Sequence, residues 1–131
     1  MDHNRGFTVV EIIIAILFVA FAGTLFVIQK RDIEAANRDN TRKAAINAMY
    51  YNLEELYFPA RGAYPRTIDA SVLKAMDPDL FKDPSGIALG TQGSNYRYDG
   101  IDCEADACKS YSLRADLEKE ADFVKTPRVR N

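Results

Sequence analysis

From Phe7 to Ile28 the chain carries a single ionisable side chain, Glu11, in an otherwise apolar run. About 22 residues at 1.5 Å each make a helix of about 33 Å, which matches the hydrocarbon core of a bilayer. Buried helices of water-soluble domains are rarely so long and so uniformly apolar, so the run reads as a membrane-inserted helix. A carboxylate at that depth costs about 2.5 to 3.5 kcal/mol even on a lenient insertion scale, which calls for a partner to Glu11. A carboxylate snorkelling to the membrane surface is the plainer alternative.

A secretory signal peptide is the competing reading of the same run. Ala20-Phe21-Ala22 before Gly23 offers an A-x-A cleavage site, and cutting there would release an ordinary secreted disulfide-containing domain. Against it, the one charge sits at the start of the apolar run, Arg5 is the only firm positive charge ahead of it, and the run continues through Leu25, Phe26, Val27 and Ile28. Lys30 and Arg31 follow the span while Arg5 precedes it, so the distribution of positive charge does not by itself orient the helix.

Beyond Ile28 the chain turns polar while remaining helix-permissive, with neither Pro nor Gly from Gln29 to Phe58. Ile46, Met49, Tyr50, Leu53, Leu56 and Tyr57 recur at intervals of about three or four and form a stripe suited to lying on a sheet. Asp32, Glu34, Arg38, Asp39, Arg42 and Lys43 precede the stripe and are expected to be solvated or shared between stacked copies. Phe58-Pro59 and the following Arg61-Gly62-Ala63-Tyr64-Pro65 are expected to close the helix, because Pro59 disfavours helical geometry at its predecessor and lacks a donor. A helix over residues 7–58 would be roughly 78 Å long, a length that suits a filament core better than a small globule.

The leader and the first turn of this helix carry a motif. Arg5-Gly6-Phe7-Thr8-Val9-Val10-Glu11, followed by Ile12-Ile13-Ile14, closely resembles the processing site of type IV prepilins and their pseudopilin relatives. The resemblance implies a leader over 1–6 that ends at Gly6 and a membrane-embedded prepilin peptidase cutting between Gly6 and Phe7. It also implies N-methylation of Phe7, and an amino terminus in the cytoplasm before cleavage. A residue without Cβ lets the backbone approach a protease closely, which suits Gly6. The new amine of Phe7 is implied to pair with Glu11 of a neighbouring subunit, with Thr8 part of the same assembly motif. An opposite charge within reach removes much of the cost of a buried carboxylate and can set axial register.

The implied partners are identical or related pilin subunits in a helical homo-oligomer, the prepilin peptidase, an inner-membrane assembly platform, and the bilayer before assembly. A host surface or DNA is a candidate ligand of such filaments, with the ligand itself left open, and no cofactor is implied. The implied location is a single-pass precursor in the cytoplasmic membrane with its head outside, then a cell-surface pilus or a periplasmic pseudopilus. The family's proline near mature position 22 is replaced by Ile28, leaving Gly23 and Thr24 as the local helix weakeners.

The remaining residues, 59–131, are expected to form a globular head. Tyr64 to Gly93 is punctuated by Pro65, Pro78, Pro84, Gly86, Gly90 and Gly93 and reads as connecting loop, with a short helix over Asp69–Met76. Tyr64-Pro65, then Asp83-Pro84-Ser85-Gly86 ahead of Tyr96-Arg97-Tyr98, is similar in layout to the major pseudopilin of type II secretion. That family's calcium-binding carboxyl-terminal loop is not recognisable. Alternation of Tyr96 and Tyr98 with polar neighbours, and of Tyr111, Leu113 and Ala115 with theirs, predicts two antiparallel strands. Phe123 and Val124 would add a third strand or cover the core, and the basic tail from Pro127 to Asn131 is expected to fray as a solvated end.

Cys103 and Cys108 lie in the connection between the two strands. In a compartment outside the cytoplasm they fit a small disulfide. Asp99, Asp102, Glu104 and Asp106 surround that loop and are weak candidates for calcium, but their spacing does not match a twelve-residue calcium loop and an acidic surface loop is the better reading. The near balance of 17 Lys and Arg against 19 Asp and Glu argues against general nucleic-acid binding by charge. Catalysis has no visible machinery: the single histidine, His3, lies in the leader, and there is no phosphate-binding glycine loop. The chain is therefore read as non-enzymatic and α+β. A long amino-terminal helix over about 7–58, with residues 7–28 transmembrane and 29–58 amphipathic, packs through its second half on a small antiparallel sheet, as in pilins. The resemblance implies the function of a pilus subunit serving adhesion, motility or DNA uptake, with a type II secretion pseudopilin as the alternative.

Overall fold

The computed structural model describes residues 6–129. The expected leader therefore lies outside the described residues except for Gly6, as do Arg130 and Asn131. The chain divides into two compact units, Met1–Ala35 and Ala36–Asn131.

Helix α1 runs from Val9 to Tyr51 and passes through Gly23 and Thr24 without a break. The Thr24 hydroxyl returns a hydrogen bond to the Ala20 carbonyl at 2.9 Å, so both weakeners are absorbed within the helix. Every described residue from Gly6 to Glu34 is exposed, including Phe7, Ile14, Phe18 and Phe26. The helix is long and apolar enough to cross a membrane.

In the second unit α1 turns one face inward. Ala45, Ile46, Met49 and Leu53 are buried, as their spacing predicts. The stripe then departs from expectation: Leu56 is 55% exposed, whereas Glu54 is 1% exposed. A π-helical stretch, Asn52–Tyr57, follows α1 and explains the exchange, because its wider turn rotates the inward face by about one residue. The helix closes within the expected segment, at Arg61-Gly62 rather than at Pro59 itself. A last turn, α2 (Phe58–Arg61), carries Pro59 near its start, where a missing donor is tolerated, and Gly62 ends it with φ 71°.

Four strands follow: β1 (Tyr64–Pro65), β2 (Tyr96–Glu104), β3 (Ala107–Ala115) and β4 (Phe123–Lys125), all paired antiparallel. β3 is central. β2 covers one of its edges, while β1 and β4 share the other, at its two ends. β1 was expected to be loop, since two residues carry no readable period. The two-residue turn Ala105-Asp106 joins β2 to β3, with Ala105 at φ 54°. The inward residues of β3, Tyr111, Leu113 and Ala115, meet Ile46, Met49 and Leu53 of the helix in one core with Tyr64 and Tyr96.

The helix expected over Asp69–Met76 forms only a single turn. The Asp69 carboxylate accepts from the Ser71 N–H and hydroxyl and from the Val72 N–H, competing locally with helical bonding. Leu73 and Met76 still reach the core, and a 3₁₀ turn, Pro78–Phe81, buries Phe81 beside them. The tail is also ordered further than expected. Arg128 bonds Glu55 at 2.7 Å, and Lys125 lies over the rings of Tyr50 and Phe123, so residues up to Arg128 strap the helix.

Candidate assembly site

At the amino-terminal end of α1, Thr8 and Glu11 close a reciprocal cap. The Glu11 N–H donates to the Thr8 hydroxyl at 3.3 Å, while Glu11 Oε2 accepts the Thr8 N–H at 2.7 Å and the Thr8 hydroxyl at 3.0 Å. A helix start leaves four N–H groups without partners, and a Thr-x-x-Glu box satisfies two of them. The sequence carries this signal as Thr8-x-x-Glu11, overlapping the motif that implies intersubunit pairing. Gly6 and Phe7 precede the helix and are exposed, which leaves the bond between them accessible. Phe7 and the cap Thr8 thus lie just ahead of the helix and Glu11 in its first turn, at the start of a continuous apolar surface.

At the far end of the head, Cys103 and Cys108 are joined by a disulfide and face each other directly across β2 and β3. Gly100 makes room for it, since a Cβ there would lie 2.7 Å from Cys108 Sγ and 3.0 Å from Cys103 Sγ. The four acidic candidates do not converge. Asp99, Asp102 and Glu104 are spread along β2, Asp106 is in the turn, and all four are exposed. Among the described residues no group of three or more metal-competent side chains comes together.

The most developed polar cluster was not foreseen. Asp39 and Arg42, expected to be solvated, are 1% and 3% exposed and bond each other at 2.9 Å. Asp39 also accepts the N–H groups of Glu118 and Lys119, and Arg42 reaches Glu118 at 2.8 Å and Asp83 at 4.0 Å. Arg38 grips Glu118 through two bonds of 2.7 Å, and Lys43 pairs with Glu120 at 2.6 Å. Burial pushes the Asp39 carboxyl up, but the Glu118 and Lys119 amides and Arg42 outweigh it and hold it below the ordinary range. Asp83 behaves likewise: burial raises it, while Asn95, the Ile87 and Ser85 amides and Arg42 bring it below normal. Hydrogen bonds from Arg38 and Arg42 hold Glu118 down at about 2.

Below this cluster the buried Glu54 carboxylate accepts the hydroxyls of Tyr64 and Tyr111, each at 3.0 Å, and the Arg128 N–H at 3.3 Å. Burial, then the charge of Glu54, pushes the Tyr111 phenol far up, so it stays a donor. These polar contacts fasten the head's loops and tail to the helix face that enters its core.

No protein-family profile, curated protein or solved structure matches this chain. What the structure itself establishes is a pilin-like architecture: a long apolar amino-terminal helix followed by a small four-stranded antiparallel sheet with a disulfide.

Proposed function

We propose that the chain is the structural subunit of a type IV pilus, made as a prepilin whose leader, residues 1–6, is removed between Gly6 and Phe7 by a prepilin peptidase. Residues 7–28 hold the precursor in the cytoplasmic membrane and then form the filament core, residues 29–58 join core to head, and residues 59–131 form the exposed head. The observation that carries the reading is the run of exposed apolar helix that starts one turn after the Gly6-Phe7 bond and has Glu11 as its only charge before Lys30. Such a surface needs lipid or other helices around it, and packing against copies of itself replaces lipid with little change in apolar burial. Transfer from membrane to filament is then nearly balanced.

In this proposal the Phe7 amine created by cleavage pairs with Glu11 of a neighbour. Because Glu11 also caps its own helix, two substitutions separate the roles. Glu11→Gln keeps an acceptor for the Thr8 N–H but removes the charge, whereas Glu11→Ala removes both. Both variants are expected to insert and to fold their heads while losing filaments by electron microscopy when expressed as the sole subunit. Normal filaments from Glu11→Gln would overturn the ionic partnership. Mass spectrometry of the mature chain should show Phe7, methylated, as the first residue, and a chain starting at Gly23 would instead mean release of a secreted domain.

A type II secretion pseudopilin is the second reading. It is favoured by the way the Asp83-Pro84-Ser85-Gly86 turn is built: Asp83 caps it through the Ser85 and Ile87 N–H groups while contacting Asn95 just ahead of β2. Loss of exported enzymes with an unchanged cell surface, on deleting the gene, would favour it over the pilus.

A further inference from the structure

Among the described residues β3 is the one strand that pairs with β2, which makes β2 an edge strand. The Asp116 N–H donates to the Asn95 carbonyl at 2.9 Å, just beyond the paired residues Tyr96 and Ala115, and this fixes the alternation along the ladder. Asn95, Arg97, Asp99 and Ile101 direct their main-chain groups toward β3, and Tyr96, Tyr98 and Gly100 direct theirs outward. Ser94 Oγ takes the outward Tyr96 N–H at 3.1 Å. The outward main-chain groups of Tyr98 and Gly100 bond no other described residue.

A groove of about 640 Å³ lies along this edge, between Thr67-Ile68 and the Leu89–Asn95 loop. It is lined by four consecutive residues of β2, Tyr96 to Asp99. Successive side chains point to opposite faces, so a groove touching all four follows the edge of the strand rather than one face. Open edges of this kind invite another strand, and proteins usually guard them with like charges. Here the charges flanking Tyr98 are of opposite sign. Arg97 is exposed and shares one guanidinium nitrogen with Asp116 at 3.5 Å, and Asp99 is exposed with no ion-pair partner among the described residues.

We infer that the head pairs with a second copy of itself through β2, antiparallel about a two-fold axis at Tyr98. Tyr98 then faces Tyr98 of the other copy, and the two exchange N–H···O=C bonds through the groups left open on the edge. Tyr96 faces Gly100 in the same ladder, with its carbonyl facing outward and its N–H already held by Ser94. On the solvent face this register sets each copy's Arg97 directly opposite Asp99 of the other copy, giving two ion pairs from one strand sequence. The register brings the outward main-chain groups into hydrogen-bonded positions and the opposite charges together at once. A parallel pairing in register would set like charges side by side. The inference concerns the head alone and does not depend on the fate of the amino-terminal helix.

The test uses the full chain in detergent micelles, with dimer measured by native mass spectrometry after release from the micelle. Arg97→Glu and Asp99→Arg each place like charges at both paired sites and are expected to weaken the dimer by about ten-fold. An equimolar mixture of the two variants restores both opposite-charge pairs and should recover the dimer as the mixed species only. Circular dichroism checks that both variants, altered at exposed positions, remain folded. Association through the apolar helix would be indifferent to these head charges. Equal dimer in all samples, or a wild-type chain that stays monomeric, would overturn the inference.

Discussion

The Glu118 N–H donates to both carboxylate oxygens of Asp39, at 2.9 and 3.0 Å, across 79 positions of sequence. A residue on the helix thus holds the loop that leads from β3 to β4. Removing the carboxylate would strand two loop amides and leave Arg42 with less compensation for its burial. Asp39→Ala is expected to destabilise the head by about 3 to 5 kcal/mol, and Asp39→Asn by less, because the amide oxygen still accepts. Urea unfolding followed by tyrosine fluorescence reads the difference.

The same cluster sets an acid limit. Asp39, Asp83 and Glu118 all have lowered folded-state values, so their contribution is complete above the ordinary carboxylate range and is lost as pH falls. For Glu118 the window runs from 4.5 down to about 2. Thermal unfolding measured from pH 7 to pH 2 should show a falling midpoint below pH 4.5, with a shallower fall in Glu118→Gln. An identical pH profile for that variant would remove Glu118 from the account.

The π-helical stretch predicts an inversion of mutational sensitivity. Leu53 is fully buried and Leu56 is exposed, although both fit the helical stripe of the sequence. Leu53→Ala should cost about 2 to 5 kcal/mol and Leu56→Ala within about 0.5 kcal/mol. Equal costs would indicate a regular α-helix through Asn52–Tyr57.

Glu54→Leu is a sharper probe of the same turn. It keeps an apolar volume but leaves the Tyr64 and Tyr111 hydroxyls without their shared acceptor. A loss of about 1 to 3 kcal/mol is expected from the Tyr111 hydroxyl losing its acceptor. Adding Tyr111→Phe should make the second loss smaller than its value in the wild-type background, which a double-mutant cycle measures.

The hairpin turn offers a gain. Ala105 holds φ 54°, in the left-handed region that favours glycine. Ala105→Gly should raise stability by about 0.5 to 1 kcal/mol, visible as a higher thermal midpoint with the disulfide intact. No change would mean that the turn relaxes without strain.

Much of the fold was legible because it rests on periodicity. The long helix, the alternation of Tyr96 and Tyr98 in β2, and that of Tyr111, Leu113 and Ala115 in β3 follow from side-chain direction alone. The pairing of Cys103 with Cys108 was reached from compartment and proximity, and the strands place them opposite each other. The capping box of Thr8 and Glu11 was present in the letters and went unread, because one short motif carried two meanings.

What the sequence determined by itself was an apolar helix with one charge near its start and a small antiparallel head, since hydrophobic pattern and local sterics act over a few residues. Only the tertiary structure decided that Asp39 and Arg42 are buried, that Glu54 replaces Leu56 on the inner face, and that Arg128 closes over the helix. Those outcomes depend on partners distant in sequence, such as Glu118 for Asp39, 79 positions away, and Tyr111 and Arg128 for Glu54, 57 and 74 positions away. A charged residue on a helix has the same local pattern whether water or a distant loop satisfies it, so the choice is made when the loop arrives.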